Sequence, residues 1–187
     1  LTELKTLSDA TLLSDPQRAD EITQRMLVVA ERMPSVCLAM PLAYWARGNW
    51  ATYHDPHEAV RLYQQALVGY RQVEDSQITA RLLSNLIGAA LQCGQFDVGH
   101  AAYIQSAPLL EHLPTTDHFY LLPLYLNYGL LLHYQGNYTD ALRHYDQAEV
   151  LANKLAQPDM LVDIGVNRAL TFAMMGQLRA AEAILID

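Results

Sequence analysis

Tyr125-Leu126-Asn127-Tyr128-Gly129-Leu130-Leu131-Leu132, followed nine residues later by Ala141-Leu142-Arg143-His144-Tyr145, is the stretch whose reading decides the fold. Tyr125, Tyr128, Gly129 and Leu132 recur at helical spacing and share one face, and Ala141 and Tyr145 do the same on a second helix. Between them lies Gly136-Asn137-Tyr138. Glycine takes positive φ without a Cβ penalty, so Gly136 is expected to end the first helix, and the apolar residue two places on to seat the second. The turn recurs as Gly94-Gln95-Phe96 and Gly176-Gln177-Leu178, its glycines 42 and 40 residues apart. A helix-turn-helix unit repeated at that interval predicts a solenoid, in which each unit buries its apolar face only against its neighbours.

The same marks run through the other segments. They are Tyr44, Gly48, Ala51, Ala59, Tyr63 and Ala66 in the first, and Leu83, Ile87, Ala90, Gly99, Tyr103 and Ser106 in the second. In the fourth they are Gly165, Ala169, Phe172, Ala181 and Leu185. This pattern resembles the tetratricopeptide repeat, with tyrosine in place of its tryptophan, leucine and phenylalanine. The resemblance covers nearly the whole chain and implies an all-α fold: a TPR-like right-handed superhelical solenoid of about five antiparallel helix pairs. Asp15-Pro16 ahead of Ala19, Ile22, Met26, Leu27 and Ala30 reads as the second helix of a divergent pair whose first helix is residues 3–13. The expected organisation is one solenoid over 1–187, with a divergent pair at 1–35, repeats at 41–73, 79–112 and 118–155, and a truncated repeat at 160–187. It reads as a fragment of a longer protein. The extra residues of the long repeat fall near Val73 to Ile78, Glu111 to Asp117 and Ala156 to Asp159. Repeats of this length look like those of kinesin light chains and of bacterial signalling proteins, such as the repeat regions that precede CHAT proteases or occur in maltose-regulator-type activators.

Composition narrows the function. Half of the 187 residues are hydrophobic, and the net charge of −8 is spread along the chain with no basic stripe, which argues against nucleic acid. The longest apolar run, Phe119 to Tyr134, is interrupted by Pro123, Asn127 and Gly129, so no membrane span is expected. Cys37 and Cys93 lie in different pairs without metal or redox spacing, and read as reduced, buried thiols of a cytoplasmic protein.

The resemblance places the first helix of each pair inside the superhelix, and with it Asn85, Asn127 and Asn167 at one repeated position facing a groove. Amides carry both donors and acceptors, so such a ladder can hold an extended peptide's backbone; equally, it can tie neighbouring helices together. Helical spacing adds Trp45, Asn49, Arg81, Ser84, Gln92, Leu126, Leu130, His133 and Tyr134, with Trp45 and Tyr134 as aromatic anchors or as packing residues. The lysines and arginines by which some tetratricopeptide domains clamp a C-terminal carboxylate are missing. Arg47 and Arg168 occupy a slot usually held by leucine, and are expected to pair with an acid of the adjacent helix such as Glu58 or Glu182.

No catalytic residue is expected. His54-Asp55-Pro56-His57-Glu58 offers metal-capable side chains, but Pro56 keeps the histidines off one helical face and Arg61 stands where an HExxH motif needs its second histidine. Neither a metal nor a cofactor is expected. The chain therefore reads as a protein-interaction module that binds a protein or peptide and controls an effector outside these residues. The alternative is a small-molecule sensor or a self-association module of a bacterial regulator, with homodimerisation through the apolar C-terminal helices.

Overall fold

The computed structural model of the chain describes residues 1–112 and 119–186. The extra residues expected over Glu111 to Asp117 lie largely outside these, as do the side chains of His112 and His118. Ten helices make up the described residues: α1 (Thr2–Thr11), α2 (Pro16–Glu31), α3 (Ala39–Ala51), α4 (Pro56–Gln72), α5 (Ser76–Gln92), α6 (Phe96–His112), α7 (Leu121–Tyr134), α8 (Tyr138–Lys154), α9 (Pro158–Met174) and α10 (Leu178–Ile186). They stack as an all-α helical-repeat solenoid. Each helix packs on the next, and α7 also lies against α5.

Local chemistry sets the starts and stops. Asp15 and Asp55 accept the amides of Arg18 and Glu58, both at 3.1 Å, with proline as the first helical residue after each; Asp75 caps α5 through the Ile78 amide at 2.9 Å. Gly94, Gly136 and Gly176 all take positive φ, from +70 to +80°. The amide after each bonds back to Ala90, Leu132 or Phe172 at 2.8–2.9 Å, closing the helix end. Two further helices, α4 and α8, end the same way on Glu74 (φ 56°) and Ala156 (φ 51°), without glycine.

The repeat unit is held by a ring seated over a missing side chain. A Cβ on Gly129 would stand 2.6 Å from the Tyr145 ring, and one on Gly48 would stand 2.7 Å from the Tyr63 ring. Both tyrosines are buried, and alanines line the crossings around them at Ala59, Ala66, Ala141 and Ala148. Tyr63 is additionally bonded to Thr52 (2.9 Å) and Asn49 (3.1 Å).

Arg47 and Arg168 do pair, but backwards along the chain. Arg47 bonds Asp20 on α2 and lies over the Trp50 ring at 3.9 Å; Arg168 bonds Glu149 and approaches Asp146 at 3.4 Å, both on α8. Glu58 is instead held by Arg61 on its own helix, at 2.8 Å. An arginine in the leucine slot of a first helix thus faces the preceding second helix, not its own partner. Asp20→Ala leaves Arg47 with Thr23 alone as a bonded neighbour (3.1 Å) and is expected to lower the unfolding free energy by about 1–2 kcal/mol. Urea unfolding checks this, and adding Arg47→Met should return most of the loss.

The cysteine expectation needs correction: Cys37 is exposed in the α2–α3 connection and Cys93 is half-buried. Met33 and Leu38 anchor this connection to the core, while the residues between them, Cys37 included, stay exposed.

At the α6–α7–α8 junction, His144 is 8% exposed, edge-on to Tyr103 and Tyr128 and beside Tyr125. Its Nδ1 has no hydrogen-bond partner. Burial, and then the Arg143 charge, hold its pKa below the usual 6.5. Burial lowers that of His133 as well. The native state therefore takes up fewer protons than the unfolded chain, so this stability is full above pH 6.5 and is lost as the pH falls through it. The urea midpoint is expected to drop between pH 7.5 and pH 5.5, and to drop less in His144→Phe.

Candidate functional site: a cleft on the first helices

The turn glycines fix which first-helix residues are equivalent. Six residues before them stand Gly88, Leu130 and Leu170; two before stand Gln92, Tyr134 and Met174; nine before stand Asn85, Asn127 and Asn167. The structure shows what each row faces.

Asn85 and Asn127 turn toward the preceding first helix. Asn85 donates to Asn49 Oδ1 at 3.2 Å, and Asn127 donates to the Ser84 carbonyl and hydroxyl at 3.1 and 3.2 Å. Asn49 in turn donates to Asp9 on α1 at 2.8 Å. A chain of amides therefore ties α1, α3, α5 and α7 together along one face. The side chain of Asn167, at the far end on α9, makes none of these bonds; its carbonyl accepts the Thr171 hydroxyl at 2.8 Å.

Over this chain opens a cleft of about 440 Å³, whose polar lining includes Asn49, Tyr53, Arg81, Asn85, Gln92 and Asn127. It gathers five of the twelve groove residues drawn from sequence: Asn49, Arg81, Asn85, Gln92 and Asn127. Trp45 is not in it. The indole is 3% exposed, edge-on to Tyr70, with the Lys5 ammonium 4.0 Å and the Arg81 guanidinium 4.7 Å from its ring centre. It serves as packing, not as an exposed anchor, because α1 brings Lys5 over it. Leu130 is half-buried one turn beyond Asn127, and Tyr134 a turn further is 66% exposed. Leu170 and Met174 continue this apolar half on α9, at 54% and 61% exposure. His133 bonds Thr171 at 2.8 Å and fixes α9 against α7.

Arg81 makes no ion pair or hydrogen bond among the described residues; its guanidinium lies between the Trp45 and Tyr120 rings, 5.5 Å from the latter. The face is thus polar with one unpaired cation toward α3 and α5, and apolar toward α7 and α9. Leu12, Thr52, Tyr53 and Gly88 also line the cleft without having been singled out. Gly88 and Tyr53 were within reach of the register, one turn from Asn85 and Asn49; Leu12 was not, since its helix carries no repeat mark.

Among the described residues no three of His, Cys, Asp or Glu converge to hold a metal. His54 stacks on Trp50, 4.0 Å between ring centres, and His57 bonds Gln95 at 3.0 Å. No described helix is long and apolar enough to cross a membrane.

A helical solenoid with a lined first-helix face has the form of a scaffold of the repeat class, whose stacked units make extended binding surfaces. The profile of the tetratricopeptide repeat family matches residues 78–154, and the chain carries a TPR-type domain. A solved structure described as BtubC (BKLC) from P. vanneervenii superposes with a TM-score of 0.77, covering 98% of this chain and 76% of that one at 16% identity, a likeness of fold. No curated protein sequence matches the chain. Tetratricopeptide repeats generally mediate protein–protein interactions, and their fold is typically a non-catalytic scaffold.

Proposed function

We propose that the chain is a protein-interaction module that takes an extended segment of a partner protein along the face of α3, α5, α7 and α9. The observation that carries this reading is the two-part chemistry of that face: an open polar cleft with an unpaired Arg81, and exposed Tyr134, Leu170 and Met174 at the equivalent first-helix positions of the next repeats. Solvated apolar side chains aligned beside unsatisfied polar groups are what a bound segment would cover. The paired amides of Asn85 and Asn127 set the spacing of the helices beneath it. The test compares capture from the source cell by the parent, by Leu130→Asp/Leu170→Asp on this face, and by Val68→Asp on α4, all with unchanged helical circular dichroism. The reading expects one set of proteins to survive Val68→Asp and to be lost with the double variant. Loss with Val68→Asp instead would move the interface to the second helices.

A second reading, self-association, is favoured by the C-terminal helix, where Leu178, Leu185 and Ile186 are 68%, 65% and 75% exposed. Sedimentation of the parent beside Leu185→Glu decides it: a dimer that the substitution splits supports the reading, and a monomer at every concentration removes it.

A further inference from the structure

Most glycines of this chain are explained by its own fold. Gly94, Gly136 and Gly176 need positive φ, and a Cβ on Gly48, Gly69, Gly99 or Gly129 would come within 2.1–2.7 Å of a neighbouring side chain. Gly88 is different. It sits inside α5, where glycine weakens a helix relative to alanine, and a Cβ there would meet only Asn127, at 3.6 Å, an ordinary contact. Its equivalents six residues before the other turns are Leu130 and Leu170, so the position carries side chains elsewhere in the array. At Gly88 the side chain is missing at the floor of the polar cleft, with Gln92 one turn on and Arg81 on the same helix.

We propose that Gly88 leaves a seat in which the main chain of a bound extended segment approaches the α5 backbone, and that Arg81 takes a carboxylate side chain of that segment. This rests on the groove reading above and adds to it where the segment lies deepest and which charge it carries. A guanidinium placed beside two aromatic rings, with no side-chain partner of its own, is free to pair with a carboxylate. The Gln92 side chain makes no hydrogen bond among the described residues, and its amide can serve the segment's peptide groups. Asp9, the nearby acid, is already bonded by Lys5 and Asn49 and so does not neutralise Arg81. Beyond the seat, Leu130, Tyr134, Leu170 and Met174 supply apolar contacts. First helices lie about 8–10 Å apart and an extended chain advances ~3.3 Å per residue, which puts the α7 contacts roughly three residues from the acid and those on α9 roughly five or six.

The experiment selects phage-displayed random heptapeptides on the full chain, then measures fluorescein-labelled copies of the recovered peptides by anisotropy. The targets are the parent, Gly88→Ala, Arg81→Gln and Leu130→Asp/Leu170→Asp. The expected result is a recovered set with Asp or Glu at one position. Gly88→Ala raises the melting temperature by about 2–4 °C while weakening those peptides about tenfold or more. Arg81→Gln abolishes the preference for the acid over its amide. Stability and binding move in opposite directions in Gly88→Ala, so misfolding cannot produce the result. Peptides that lack an acid, or that bind Gly88→Ala as they bind the parent, overturn the seat. If those peptides are still lost with Leu130→Asp/Leu170→Asp, the groove reading survives that failure. Recovery of no peptide, or of peptides indifferent to all three variants, overturns both.

Discussion

Tyr145→Ala is expected to lower the unfolding free energy by about 3–5 kcal/mol, the range for truncating a buried aromatic ring. The ring has no exposed surface and occupies the space that Gly129 vacates, 2.6 Å from where a Cβ would stand. Its removal leaves a void between α7 and α8 that backbone movement cannot close, because Ala141 and Ala148 already bring the helices together. Tyr145→Phe keeps the ring and should lose less than about 1 kcal/mol. Urea unfolding of the three proteins measures the difference. The effect extends beyond one pair, since α9 and α10 stack on the α7–α8 pair that Tyr145 holds together. Far-ultraviolet dichroism of Tyr145→Ala should therefore show the C-terminal helices lost at lower urea than the rest.

Gly69→Val comes next, with an expected loss of about 2–3 kcal/mol from overpacking. A Cβ at Gly69 would lie 2.1 Å from Pro41 Cγ and 2.9 Å from Pro41 Cβ. A proline ring cannot rotate away as a leucine end can, so α3 and α4 must separate. Gly99→Val is the informative comparison: there the nearest atom is Leu131 Cδ1 at 2.2 Å, the far end of a flexible side chain, and the loss should be smaller. Thermal unfolding of both variants tests the ranking, and equal losses would mean that the α3–α4 contact yields as easily as a side chain.

The fold was legible because its unit is marked by residues with few alternatives. A glycine at the helix end, a small residue at the crossing and a tyrosine facing it recur at a fixed interval, and each has a steric reason. The ends of α4 and α8 were not legible, because Glu74 and Ala156 adopt the left-handed conformation with nothing in their side chains to announce it. Gly69 carries no repeat mark, and its reason lies 28 residues away in Pro41. The candidate site was half legible. Helical spacing brought Asn49, Arg81, Asn85 and Asn127 to one face, but could not say that the two asparagine amides are spent on neighbouring helices. Nor could it place Lys5 over Trp45, because the divergent first pair has no register to extrapolate. Arg47 and Arg168 show the same limit: their need for a partner follows from burial, whereas the partner's identity depends on which neighbour each helix face meets.

The central claim is that the first-helix face is where a partner protein lies. Benzoylphenylalanine placed at Tyr134 on that face, and in a separate protein at Val68 on α4, tests it most directly by photocrosslinking in the source cell. Both positions are well exposed, at 66% and 60%. The account predicts a discrete crosslinked protein from position 134 that is absent from position 68, and that disappears when Leu130→Asp/Leu170→Asp is added. A crosslink from position 68 alone, or one from position 134 that the added substitutions leave unchanged, would contradict it.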